Sequence, residues 1–239
     1  MRAAAIGHDD EQRLVRAFFH NATRGFFVEV GANDPYERSQ TWHLEKLGWT
    51  GVLVEPQPDL AAKLVGGRMA MVFAVACSSP NNAGRTMPLH VAGRMSSLNR
   101  DRMAPGAEVE FIIDVPVKTL DDVLTQASAP SPIDLLSVDV EGHEMEVLQG
   151  FDFARWRPRL ILVDDHVSSR EKRWFLQSCG YRVIRCVGNN GWYVPATEKF
   201  KINWADRWQI WRKYYLGLPF RSARNISGDL RRPKKLRSL

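Results

Sequence analysis

Hydrophobic residues along the chain gather in short runs: Phe26 to Val30 (interrupted by Glu29), Val52 to Val54, Met71 to Ala76, Ile133 to Val138 (interrupted by Asp134 and Ser137) and Leu160 to Val163. Runs of this length without alternation suit strands covered on both faces. Between them, Thr41 to Leu47, Asp59 to Leu64, Gly142 to Gln149 and Arg170 to Ser178 carry helical spacing. Gly48 closes the first of these, Asp59 is placed to cap the second, and Gly180 stops the last. Tyr181 to Arg185 and Gly191 to Val194 flank the turn residues Asn189-Asn190-Gly191 and predict a terminal antiparallel pair. Segment 77–132 is less regular, with β-like pieces at Met87 to Val91 and Val109 to Val117. Strands alternating with helices predict an α/β fold, a mostly parallel sheet with helices on both faces.

At 239 residues the chain suits one such domain with extensions. We divide it into a body over 1–198, with 1–25 an N-terminal helical segment, and a tail over 199–239. No apolar run is long enough to span a bilayer, and MRAAAIGHDDEQRL lacks the apolar core of a signal peptide. Three cysteines without CxxC spacing read as reduced thiols in a cytoplasmic protein. The net charge of +6 is unevenly placed. The tail holds twelve Lys or Arg against two Asp or Glu, a net of +10, so the body stands at −4. That split directs the tail, rather than the body, toward an anionic partner.

The predicted strands end in acids: Glu29 just before Gly31, then Glu55, Asp139, and the pair Asp164-Asp165. Ligands of such sheets bind beyond the carboxyl ends of the strands. Capping the next helix is the plainer reading of any one acid; four acidic strand ends together form a rim. A dinucleotide needs Gly-x-Gly-x-x-Gly at the first turn. Here the turn is GANDPYERSQ, where a pyrophosphate would meet Asp34 and Glu37. S-adenosylmethionine, cationic and without phosphate, suits this turn better. Gly31 permits close backbone approach, and Glu55 is placed to accept from both ribose hydroxyls.

FFVEVGANDPYERSQTWHLEKLGWTGVLVEPQPDL, VKTLDDVL and IDLLSVDVEGHEMEVLQGFDF resemble the FkbM family of S-adenosylmethionine-dependent methyltransferases. The resemblance runs from about Phe26 to Val194. The family's Asp-x-Gly-Ala-Asn-x-Gly is here Glu29-x-Gly31-Ala32-Asn33-Asp34-Pro35, with proline in place of the last glycine. The resemblance implies a Rossmann-like class I methyltransferase fold: a seven-stranded, mostly parallel sheet ending in an antiparallel hairpin. It implies methylation of hydroxyls on sugars, glycans or glycolipids, or on polyketide-type natural products. By position, Glu29, Gly31, Asn33, Asp34 and Glu55 line the cofactor site. Ala74 to Cys77, with Ala76, pass near the adenine, and Asp139 lies toward the methionine end and the acceptor.

Methyl transfer to oxygen requires an acceptor hydroxyl that loses its proton to a base or is held by a metal. The ends of the fourth and fifth predicted strands supply Asp139, Glu141 and His143, and Asp164, Asp165 and His166. The pattern also looks like that of metal-dependent macrolide-sugar O-methyltransferases. By that likeness Asp139, Asp164 and Asp165 would hold magnesium or another divalent ion, and His143 would be the base, with His166 as its competitor. The plainer alternative is that Glu141-Gly142 is a tight helix entry, with Glu144 and Glu146 as first-turn charges. Arg94 and Ser96-Ser97-Leu98 are candidates for the acceptor pocket. A nucleic-acid methyltransferase is disfavoured by the acidic body and by the lack of an Asn/Asp-Pro-Pro-Tyr/Phe motif. A non-catalytic cofactor-binding scaffold is the rival outside the enzymes.

In the tail, Asn203 caps a predicted helix with Asp206 at its third position, ended by Gly217 and Pro219. Trp204, Trp208, Trp211 and Tyr215 fall on one stripe, and Arg207, Arg212 and Lys213 lie off it. Two readings stand: peripheral contact with an anionic membrane at its cytoplasmic face, or packing on the body or on a second subunit in a homodimer.

Overall fold

The computed structural model describes residues 8–103, 106–165 and 170–216. The main sheet has seven strands: β1 (Phe26–Val30), β2 (Thr50–Val54), β3 (Met71–Phe73), β7 (Leu135–Val138), β8 (Leu160–Asp164), β9 (Tyr181–Val187) and β10 (Asn190–Pro195). Their order across the sheet is β3-β2-β1-β7-β8-β10-β9. All neighbours are parallel except β10, which runs antiparallel to both β8 and β9. A second, three-stranded sheet holds β4 (Ala76–Cys77), β5 (Thr86–Val91) and β6 (Phe111–Lys118) in the order β4-β6-β5. This is the expected mostly parallel α/β sheet with its terminal hairpin.

Alternate residues of each central strand enter opposite cores. Val28, Val30, Val52, Val54, Leu136, Val138, Ile161 and Val163 pack on one face. Phe27, Leu53, Leu135, Leu160 and Leu162 pack on the other, with Val15 and Phe19 of helix α1 (His8–Phe18) and the following turn. Both faces are therefore largely apolar, which is why these strands read as near-continuous apolar runs. Helix α1 is tied to the sheet by Glu11, whose carboxylate accepts from Trp192 Nε1 at 2.9 Å and Asn190 Nδ2 at 2.8 Å.

Several elements differ from expectation. The run 71–76 is two strands: it leaves the main sheet after Phe73, and Ala76–Cys77 pairs with Val117 and Lys118 instead. The irregular segment is thus largely a second sheet, β5 pairing antiparallel with β6. Helix α2 is only Trp42–Glu45. Helix α3 spans Pro58–Gly67 with Gln57 at its N-cap, so Asp59 is a first-turn charge and not the cap; Pro58 takes the position where a missing N–H costs nothing. Helix α4 (Leu120–Gln126) begins with a capping box between Thr119 and Asp122. Helix α5 is Glu144–Gln149, starting late because Glu141 (φ 49°) and Gly142 (φ 95°) are both left-handed. A short α6 (Phe153–Trp156) leads into β8, and α7 is Glu171–Ser178.

The tail helix α8 covers Trp204–Trp211 and continues through a wider turn over Arg212–Leu216. Asn203 accepts from the Asp206 amide at 2.7 Å, as the cap was read. Its proposed end at Gly217 and Pro219 lies outside the described residues. Ile210 and Tyr214 are buried in the core, and Asp206 forms a two-pronged pair with Arg185 at 3.0 Å. The inner face of α8 thus belongs to the body, while its tryptophan stripe faces solvent.

Candidate active site

In the main sheet the chain order reverses between β1 and β7, and a cleft opens beyond the carboxyl ends of the strands there. Glu29, Gly31, Asn33, Glu55, Ala76, Asp139 and His143 all border one cavity. Gly31 sets its floor. With φ at +85° it turns the chain away from β1, and a Cβ here would lie 1.8 Å from the Asp139 carbonyl oxygen. Only glycine allows β1 and β7 to end so close together.

Glu55, at the end of β2, is buried and held from two sides. The Asn33 amide donates to Oε2 and the Gln57 amide to Oε1, each at 2.9 Å. Burial raises its pKa, and those two amides partly offset the effect. Each oxygen keeps acceptor capacity toward the cavity.

Glu29 has a different part. Its carboxylate accepts from Ser39 Oγ at 3.1 Å, the Gln40 amide at 2.8 Å and Thr41 Oγ1 at 2.5 Å. It therefore pins the segment after the glycine turn. Arg68 works from the other side: its buried guanidinium bonds Glu45 at 3.0 Å, Pro35 O at 3.1 Å, Ser39 Oγ at 3.0 Å and Thr41 Oγ1 at 2.9 Å. Asp34 is not among the residues bordering the cavity. Its Oδ1 accepts from the Tyr36 and Glu37 amides, which closes the turn across Pro35 and lowers the Asp34 pKa.

At the end of β7, Asp139 opens onto the cavity and makes no side-chain hydrogen bond among the described residues. Surrounding cleft atoms crowd its carboxyl although the residue stays exposed to the open cleft, and Asp164, Glu141, Glu144 and Glu29 repel its charge. Crowding and repulsion both raise its pKa, the solvent in the cleft tempering the effect. His143 is buried, its Nε2 2.9 Å from Ser78 Oγ and its Nδ1 3.8 Å from Glu146. Asn82 donates to the same Ser78 oxygen at 2.9 Å. Burial lowers the imidazole pKa, with Glu146 and Glu144 offsetting part of that. The lowered pKa favours the neutral ring at pH 7, with Nε2 engaged by Ser78. His166, the competing base, lies outside the described residues.

The acids meet, but not as the predicted trio. Asp139, Glu144 and Asp164 bring ligand oxygens within 4.8 Å of one another. Asp165 turns away: Tyr214 of the tail donates to its Oδ2 at 2.5 Å, and Tyr214 in turn lies 2.9 Å from Tyr193 Oη. An ammonium also occupies the cluster. Lys172 donates to Glu144 Oε2 at 3.1 Å and to the Asp164 carbonyl at 2.5 Å, and stands 3.9 Å from Asp165. Burial would lower its pKa, but Glu144 and Asp165 outweigh that and raise it, so it stays charged. A divalent ion on Asp139, Glu144 and Asp164 would sit against this charge, so the donor set does not fit one without displacing Lys172.

Lys172, Arg68, Ser78 and Tyr214 were not singled out as site residues from sequence. Glu144 was read only as a first-turn charge. Arg94, Ser96, Ser97 and Leu98 do border the cavity, with Arg94 paired to Glu37 at 2.7 Å and Ser96 held by Gln57 at 3.2 Å. Removing the Tyr214 hydroxyl leaves a buried Asp165 oxygen without its donor. Tyr214→Phe is expected to cost about 1–3 kcal/mol in urea unfolding; an unchanged midpoint would show that Asp165 finds another donor.

Residues 29–183 match the family model of the methyltransferase FkbM domain. A solved structure of methyltransferase FkbM from Methylobacillus flagellatus KT is similar at 14% identity and a TM-score of 0.46. The similarity covers 72% of this chain and 44% of that one, so the chain spans less than half the length of that protein. No curated protein matches the chain. The family match takes in the glycine turn, Glu55, the β7 end with Asp139 and the β8 end with its acids, and the chain belongs to the FkbM methyltransferase family.

Proposed function

We propose that the chain is an S-adenosylmethionine-dependent O-methyltransferase acting on a hydroxyl of a sugar, glycan or glycolipid. The observation that carries the cofactor assignment is Glu55, a carboxylate fixed by two backbone amides at the end of β2, beside the Gly31 turn. Its remaining lone pairs suit a ribose diol, and the acids around Asp139 suit a cationic ligand rather than a pyrophosphate. When bound, the cofactor supplies an electrophilic methyl group.

The chain's own task is to take a proton and align the acceptor. Asp139 is the group placed for it. It opens onto the cavity, and its raised pKa brings a carboxylate nearer to the basicity that removal of a hydroxyl proton needs. His143 lines the same cavity and, through Ser78, fixes the entry to α5; we assign it to positioning. Lys172 donates to Glu144 and to the Asp164 carbonyl, which sets a positive charge against the acids beside Asp139. No step is assigned to a metal.

The test is incubation of the whole chain with methyl-labelled cofactor and separate pools of glycans, lipid extract and RNA. Label is expected in glycan or glycolipid, and transfer is expected to survive exhaustive chelation. Label in RNA would overturn the acceptor class, label nowhere would favour a binding scaffold, and loss on chelation with recovery on added magnesium would contradict the part given to Lys172.

A further inference from the structure

The outer face of α8 carries aromatic area that the body does not use. Trp204 is 78% exposed, Trp208 48%, Trp211 43% and Tyr215 45%. The rings are ordered among themselves: Trp204 and Trp208 are parallel within 3° at 6.2 Å, and Trp208 and Trp211 stack at 5.1 Å. Helical geometry places exposed Arg207 and Arg212 on either side of this ladder. Arg170, from the start of α7, lies over the Tyr215 ring at 4.5 Å. Beyond Leu216 the sequence adds seven Lys or Arg against one Asp. The helix itself is anchored, because Asp206, Ile210 and Tyr214 on its inner face are buried.

We infer that this face is a peripheral docking surface for an anionic lipid bilayer. The match is one of charge and of ring chemistry. Indoles rest at the depth of headgroups, with the flanking arginines extended toward the phosphates. The basic sequence that follows adds long-range attraction to the same surface. No helix among the described residues is long and apolar enough to cross a membrane, so the contact is one of lying on the surface. Single-stranded nucleic acid fits less well, since a base needs an open aromatic face and these indoles are turned toward one another. Tyr214, on the inner side of the same helix, donates to Asp165, the residue that follows β8, so the docking face is fixed to the body at that strand end. A lipid-linked acceptor would follow from this only together with the methyl-transfer reading; the docking itself does not depend on it.

The test is flotation of the full chain with vesicles of phosphatidylglycerol and phosphatidylcholine, and with phosphatidylcholine alone. Binding is expected to the anionic vesicles only and to weaken with salt. Arg207→Gln with Arg212→Gln should lower partitioning roughly thirtyfold, about fivefold for each cation withdrawn. Trp204→Ser, Trp208→Ser and Trp211→Ser together should lower it at least as far, with little change in melting temperature because the rings are exposed. A chain that fails to float at low salt would overturn the inference. So would undiminished flotation of the tryptophan variant, preference for an RNA oligonucleotide in direct competition, or self-association in the absence of lipid that the tryptophan changes abolish.

Discussion

Replacing Asp139 by asparagine is expected to lower methyl transfer by about 10³-fold, the scale of a lost general base, while cofactor affinity changes little. Asp139 lines the cavity and its shape is kept by asparagine, which removes its proton-accepting capacity and its charge while Glu55 still holds the cofactor. The pH dependence follows from its raised pKa. In the parent, transfer should climb with pH as Asp139 gives up its proton, at a pH above that of an ordinary carboxylate. The same shift acts on stability with a definite sign. Folding raises this pKa, so the stabilising contribution is fully present below the unfolded value and is lost as pH rises through the folded one. Asp139→Asn should therefore melt higher than the parent at pH 8, and the gap should close toward pH 4. A variant with full activity would return the base to His143 or His166. His143→Gln provides the comparison: because its Nε2 is bonded to Ser78, it should alter activity and stability together rather than turnover alone.

Glu55→Ala is the second large effect. A carboxylate accepting from two ribose hydroxyls makes two charge-assisted hydrogen bonds, each about 1.5–3 kcal/mol. Their joint loss should weaken cofactor binding by more than about 100-fold in titration calorimetry. Glu55 also orders the Asn33 and Gln57 amides, so Glu55→Gln is the needed companion. Glutamine fills the same space and can still accept from one amide; it should keep the fold and remain weak in binding. Equal affinity in parent and glutamine variant would remove the ribose assignment.

Much of this site is legible in the sequence because strand ends are. Phe26 to Val30, Ile133 to Val138 and Leu160 to Val163 are apolar on both faces, so the positions where polarity begins mark the rim of the sheet. Glu55, Asp139 and Gly31 were reached that way. What sequence does not carry is the direction of a side chain at the rim. Asp164 and Asp165 are adjacent, and successive residues of a strand point to opposite sides. One of them had to leave the cluster, but only the tail, returning with Tyr214, shows that it is Asp165. Lys172 lies eight residues after Asp164, and nothing in Arg170-Glu171-Lys172-Arg173 distinguishes one cation from the next. The division of the run 71–76 was hidden for another reason. No glycine or proline breaks it, and the chain changes sheets at Ala74-Val75 because β6 offers Ala76 a partner from forty residues away.

The tail shows the opposite balance. Its cap, Asn203, and its aromatic stripe are local features, and both were readable. Whether the stripe or the opposite ridge meets the body depends on Tyr193, Arg185 and Asp165, none of them near in sequence. The buried ridge is the less conspicuous one, since a lone Ile210 and a Tyr214 hold the helix while three exposed indoles face outward.

The proposed S-adenosylmethionine site is the cleft between β1, β2 and β7. Titration of the unmodified full chain with S-adenosylhomocysteine, followed by calorimetry, tests it most directly. Saturable binding is expected at one site per chain, lost in Glu55→Gln and retained in Asp139→Asn. An absence of heat up to millimolar ligand, with the protein shown to be folded, would contradict it.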